Sequence, residues 1–273
     1  MKELFTRSLT GLLFVGLLIS SVFYSHEALL VVFTIFGLVC MYEFSKLIEL
    51  KSIIQYIILL IALGVFIFWK QIQPDLNVEE AIMILLAISL FVSLFLIRDL
   101  FSKKIIPEFA FKKYLLTTFY ISSSFVFLLL IPCVEETYEP RIILGSFILV
   151  WINDSFAYLV GKNFGKQKLF ERISPKKTVE GFFGGLLFAC IASYFIAKFT
   201  ATLSFSSWLI LAIIISSIGT IGDLIQSKFK RQANVKDSGS IMPGHGGIFD
   251  RLDSMLFSAP FIYLFLKIVQ YVS

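Results

Sequence analysis

The sequence predicts an all-α, polytopic membrane protein with about nine transmembrane helices and a cytoplasmic N-terminus. Three observations carry that expectation. Of the 273 residues, 58% are hydrophobic, 31 are Phe and only 16% are charged; with a mean hydropathy of +0.87, this is more apolar side chain than one soluble core can hide. Nine apolar runs approach the roughly 20 residues that a helix needs to cross a bilayer. The basic residues alternate from loop to loop, twenty of the 24 falling on one side.

The runs are 8–24, 27–44, 52–69, 80–97, 114–132, 141–161, 179–199, 207–226 and 252–272. Helices are expected throughout, because in lipid only a helix or a closed barrel satisfies its own backbone. The first run follows Lys2 and Arg7, as a signal peptide would, but has no clear small-x-small cleavage site and is taken as a span. The basic residues lie at the N-terminus, then at Lys46 and Lys51, then between Arg98 and Lys113, between Lys162 and Lys177, and between Lys228 and Arg251. Only Lys70, Arg141, Lys198 and Lys267 fall opposite. Lysine and arginine are retained in the cytoplasm, so the alternation supports nine spans and places the richest polar loop there. The implied location is the cell membrane, multi-pass, the cytoplasmic or inner membrane of a bacterium. By sequence order the chain divides into residues 1–140, with about five helices, and 141–273, the region expected to be catalytic, with its loop at 227–254.

The net charge of +5 is explained by this topology, and no nucleic-acid partner is inferred. Cys40, Cys133 and Cys190 stand singly in or beside apolar runs, so neither a disulfide framework nor structural zinc is expected. No fixed repeat or low-complexity tract appears. Gly161 to Gln167 is one residue short of a P-loop and lacks its Ser or Thr, and there is no GxGxxG or GxSxG motif.

Polar residues then stand out. Asp154 lies within the sixth run, roughly 10 Å from its cytoplasmic end at 1.5 Å per residue. A carboxylate at such depth needs a partner, a cation or water. Asp223 ends the eighth run at the same face, and Asp250 and Asp253 begin the ninth, three residues apart on one side of a helix. Their mutual repulsion calls for a cation, and oxygen-only ligands favour Mg²⁺. Lys176, Lys177 and Thr178 precede a helix start, a place suited to anionic oxygens. Gly181 and Gly185 form a GxxxG pair expected to serve helix packing. Between Ser227 and Ser254, Lys228, Lys230, Arg231 and Lys236 could neutralise a polyphosphate, and Gly244, Gly246 and Gly247 flank His245 and let backbone approach a ligand. Cations, bare N–H donors and a carboxylate-held metal in one segment suit phosphoryl or nucleotidyl transfer.

The order Ser227-x-Phe229-Lys230-Arg231-x4-Lys236-Asp237-x-Gly239, followed by Pro243-x-His245-Gly246-Gly247-Ile248-x-Asp250-Arg251-Leu252-Asp253, resembles the signature of phosphatidate cytidylyltransferases (CDP-diacylglycerol synthases). The segments SPKKTVEG, NDSFAYLVG and GDLIQS are also similar, so the resemblance covers the chain from Arg141 onward. Met242 stands where Leu, Ile or Phe is expected, and keeps the position apolar. The resemblance implies that CTP and phosphatidate, at the bilayer, give CDP-diacylglycerol and pyrophosphate with Mg²⁺, a second cation being left open, as is a homodimer. It implies catalytic roles for Asp223, Asp250, Asp253, Lys236 and Asp237, the last orienting the basic loop. Metal binding is expected of Asp223, Asp250 and Asp253, with Asp154 ranked behind them. Phosphate binding is expected of Lys176, Lys177, Thr178, Lys228, Lys230, Arg231, His245, Gly246 and Gly247; His245 could equally fix the glycine turn. Two alternatives share the charge pattern: a membrane CTP-dependent enzyme with another acceptor (a polyprenol kinase or an archaeal-lipid cytidylyltransferase), and a transporter of an anionic solute.

Overall fold

A computed structural model describes residues 2–72, 78–107, 109–134 and 137–272. Each of the nine apolar runs lies in helix. In order these are α1 (Lys2–Tyr24), α2 (His26–Leu47), α3 (Ile54–Ile72), α4 (Val78–Phe101), a composite rod, α7 (Pro140–Phe164), α8 (Val179–Thr200), α9 (Phe205–Gln232) and α10 (Phe249–Val272). The rod consists of α5 (Ala110–Leu116), a π-helical turn over Thr117–Ser122, α6 (Ser123–Leu130) and a 3₁₀ turn over Ile131–Cys133. Hydroxyls reach back along it, Ser122 Oγ donating to Thr117 O at 3.1 Å and Ser124 Oγ to Tyr120 O at 2.6 Å. Such back-bonding accompanies departures from regular α geometry.

Among the described residues, seven helical stretches are long and apolar enough to cross a bilayer; Ser8–Tyr24 and Ile54–Val65 are shorter apolar stretches. Large apolar side chains such as Leu12, Phe91, Phe183 and Phe199 are exposed. Outward apolar surface on this scale is what lipid requires and water penalises. The protein is an all-α polytopic membrane protein. One element was not anticipated: strands β1 (Lys168–Phe170) and β2 (Ser174–Thr178) pair antiparallel between α7 and α8.

The chain forms two compact units. The first comprises residues 1–130 and 229–252, the second 131–228 and 253–273. This division differs from sequence order, since residues 229–252 belong with the first helices. In the first unit Phe44 of α2 meets Tyr120, Phe229 and Phe249 edge-on, with centroids 5.6, 5.1 and 5.6 Å away. These aromatic contacts tie the ends of the polar loop to the helices beneath it.

In the second unit small residues set the helix spacing. A methyl at Gly181 would stand 2.7 Å from Ala157 O, and one at Gly185 2.6 Å from Asn153 O, so α8 lies against the backbone of α7. The GxxxG pair thus serves helix packing, as in close-packed membrane helices. Gly222 of α9 likewise abuts Phe257 and the Asp253 carbonyl of α10.

Gly185→Leu should force α7 and α8 apart. Overpacking of this kind costs ~1–3 kcal/mol, so the detergent-solubilised protein should melt at lower temperature. Gly64→Leu, at a position with nothing within 4 Å, should leave the melting curve in place.

Candidate active site

Residues 236–251 wrap a cleft of about 560 Å³ in the first unit, lined by Lys236, Asp237, Gly239, Ser240, Gly246 and Arg251 among others. Two of its glycines supply conformation: Gly244 and Gly246 have φ of +79° and +86°, a region that side chains resist. The turn closes through Met242 N–H to Gly246 O and His245 N–H to Met242 O, both 2.9 Å. His245 Nδ1 lies 2.9 Å from Thr10 Oγ1 of α1, and Arg251 donates to the His245 carbonyl at 2.9 Å. Of the two roles weighed for His245, fixing the turn is the one these bonds support.

Beneath the cleft lies a closed network. Asp250 Oδ1 accepts Lys230 Nζ at 2.7 Å, with only 10% of the lysine and 5% of the aspartate side chain exposed. Asp250 Oδ2 accepts Ser238 N–H at 2.8 Å, Ser238 Oγ–H at 2.9 Å and Gly247 N–H at 2.9 Å. Its lone pairs are thus engaged by the protein's own donors. Gly247, expected to offer its backbone to a ligand, is buried and spends its N–H on Asp250.

Sequence reasoning missed one participant. Glu43 of α2 is 1% exposed; its Oε2 accepts Phe249 N–H at 2.9 Å and lies 3.1 Å from Ser238 Oγ, which shares its one proton between Glu43 and Asp250. The Phe249 N–H is one of those that a helix start leaves without an intrahelical partner. A charged residue inside the apolar run VVFTIFGLVCMYEF was the available signal, the same one that singled out Asp154.

The second unit holds a separate charged cluster. On strand β2 Lys176 is exposed and Lys177 half-buried. Lys177 Nζ forms an ion pair with Asp223 of α9. Burial opposes its charge, but Asp223, followed by the charges of Asp154 and Asp253, outweighs that and holds the ammonium above the ordinary lysine range. Asp223 also accepts from Ser227 Oγ at 3.2 Å, Asp154 from Asn153 Nδ2 at 3.3 Å, and Asp253 from Ser254 N–H at 2.7 Å. Thr178 is buried, and its Oγ1 caps α8 by accepting Gly181 N–H at 3.1 Å. Gly161, Gly165 and Gly181 crowd round that side chain, which accounts for the glycines of the failed P-loop.

The structure therefore groups Asp154, Asp223, Asp253 and Lys177 in one unit, and Lys230, Lys236, Asp237, His245, Gly246, Gly247 and Asp250 in the other. Lys228 is buried on α9, Lys176 is exposed, and Arg231 is exposed with Nη1 donating to Val235 O at 2.9 Å. Among the described residues, no three His, Cys, Asp or Glu side chains form a ready-made metal cage.

The chain is thus a helical membrane protein that carries a basic, glycine-rich loop in one unit and an acidic cluster in the other. The particular family follows from comparison: the cytidylyltransferase family profile matches residues 5–269, and the chain belongs to that family. It is 47% identical over 128 residues to a phosphatidate cytidylyltransferase of Staphylococcus epidermidis (strain ATCC 35984), covering 46% of this chain and 49% of the relative. It is 42% identical over 154 residues to that of Bacillus subtilis (strain 168), covering 56% and 57%. For Staphylococcus aureus (strain COL) the figures are 47% over 126 residues, 45% and 48%. The chain thus spans about half the length of the curated relatives it matches.

Lys177→Met should destabilise the second unit by removing the cation paired with Asp223. Adding Asp223→Asn should restore part of the loss, with a coupling of ~0.5–3 kcal/mol in a double-mutant cycle of thermal or denaturant unfolding. Strict additivity would mean that the pair is not an energetic unit.

Proposed function

We propose that the protein transfers a cytidylyl group from CTP to phosphatidate, giving CDP-diacylglycerol and pyrophosphate, with its chemistry on the cytoplasmic face of the membrane. The observation that carries this reading is the 42–47% identity to proteins named phosphatidate cytidylyltransferase. The bias of basic residues to one set of loops supports the orientation.

A phosphate oxygen of phosphatidate attacks the α-phosphorus of CTP. A P–O bond forms there as the bond to the bridging oxygen of the β-phosphate breaks, and the electron pair leaves with pyrophosphate. A phosphate monoester has a second pKa of about 6, so the nucleophile is anionic at neutral pH and needs no strong general base. The protein's task is positioning and charge neutralisation. In the proposal Lys236 and Arg251 offer cations at the cleft, Gly244 and Gly246 admit phosphate oxygens close to backbone, and Asp237 orients the basic segment. Arg231, exposed in the same unit, adds positive charge.

The metal that the family implies is Mg²⁺, an ion commonly held by one or two carboxylates together with substrate phosphates. Asp223, flanked by Asp154 and Asp253, fits: its donors are oxygen only, and it already gathers a cation, the Lys177 ammonium. Bound there, the ion would screen the two anionic reactants from each other and stabilise the departing pyrophosphate. Lys177, turned from Asp223 to a phosphate oxygen, would keep the cluster in charge balance. Asp250 shapes the loop through Lys230, Ser238 and Gly247, and these partners would have to yield before it could bind metal.

The test uses the full chain in detergent with phosphatidate, Mg²⁺ and CTP labelled at the α- or γ-phosphate. α-Label should enter the lipid, chelation should stop it, and Asp223→Asn should reduce the rate by about 100-fold or more, as loss of a charge-stabilising group does. Transfer of γ-label alone would replace this reading with that of a lipid kinase.

A further inference from the structure

We infer that Glu43 is a positioning residue: from within α2 it sets the course of the loop that forms the cleft, and thereby its fit to a nucleoside triphosphate. The substrate part of this inference rests on the function proposed above. Glu43 lies in an apolar helix, where an ionisable side chain is costly and is kept for a purpose. Its Oε1 finds no hydrogen-bond partner among the described residues, so a stabilising role alone does not explain it. Its Oε2 meets both ends of the loop at once, accepting Phe249 N–H and lying against the Ser238 hydroxyl, whose single proton is shared with Asp250. Ser238 passes the restraint on to Asp250 at 2.9 Å, and Asp250 passes it to Lys230 and Gly247.

The signature glycines carry the imprint of this carboxyl. A methyl added at Gly239 or Gly247 would overlap the Glu43 carboxyl group. Those two positions are therefore glycine to admit Glu43, whereas Gly244 and Gly246 are glycine for their positive φ. Gly239 also lines the cleft, so the wall that faces a ligand on one side rests on Glu43 on the other. What this geometry demands of residue 43 is an acceptor oxygen at a set distance. Gln supplies it; Asp, one methylene shorter, does not reach; Ala removes it.

The test compares wild type with Glu43→Gln, Glu43→Asp and Glu43→Ala, all as full chains in detergent, by CTP titration calorimetry, by KM for each substrate and by trypsin cleavage after exposed Lys236. Glu43→Gln should stay within about threefold of wild type throughout, since hydrogen-bond acceptance is retained. Glu43→Ala and Glu43→Asp should weaken CTP about tenfold or more, the scale of leaving a buried N–H unmatched, while KM for phosphatidate moves less than about threefold. Trypsin should cut both faster at Lys236. Gly239→Ala should be rescued in part by Glu43→Ala, because the three atoms nearest an added methyl there all belong to Glu43. Wild-type CTP affinity and unchanged cleavage in Glu43→Ala would overturn the inference, as would Glu43→Gln failing like Glu43→Ala, or equal losses for both substrates with a lowered melting temperature. If wild type binds no CTP, the proposed function fails; faster cleavage of Glu43→Ala, but not of Glu43→Gln, would still sustain the positioning role.

Discussion

Lys230 and Asp250 meet at 2.7 Å where both side chains are almost wholly buried, and the polar loop is organised around that contact. Burying two charges is favourable only when the pair is close and its remaining valences are met. Here they are met by the loop itself: Ser238 and Gly247 give backbone N–H groups to Asp250, and Ser238 adds its hydroxyl. The loop must therefore bend back on the start of α10. Its curvature follows from the need to satisfy a carboxylate in an apolar setting, and the cleft follows from the curvature.

The second unit solves the matching problem with small residues. Gly181, Gly185 and Gly222 bring helix backbones together, and two carboxylates sit where those approaches occur: Asp154 next to Asn153, which faces Gly185, and Asp223 next to Gly222. An acidic cluster there calls for a cation. Lys177 provides one from a two-stranded hairpin. The hairpin is thus an arm that delivers a charge to the helix ends.

Much of this was legible in the sequence. Hydropathy marks the long apolar helices, seven of which among the described residues can cross a bilayer, and the density of Lys, Asp and Gly after Ser227 marks the loop. The GxxxG spacing at Gly181 and Gly185 predicts close packing, and Asp154 stands out by its depth. The rest is hidden for physical reasons. A sequence does not reveal which lone pairs are already used, so Asp250 looks like a metal ligand and Thr178 like a phosphate donor, although the first holds a loop and the second caps a helix. Glu43 lies near the end of an apolar run, where a single carboxylate passes for an interfacial residue, and its partners are some two hundred positions away. Strands of three and five residues are too short to leave a period.

The glycines of the loop sharpen the point. A glycine-rich segment loses more conformational freedom on ordering than any other, and a floppy loop would make a poor host for a polyanion, since every restraint imposed at binding is subtracted from affinity. Here Gly244 and Gly246 take positive φ, and Gly239 and Gly247 back onto Glu43; the freedom is removed in advance by bonds to Glu43 and Asp250. A loop ordered before a ligand arrives loses less freedom on binding it. The buried carboxylates of this unit act through the loop they hold still.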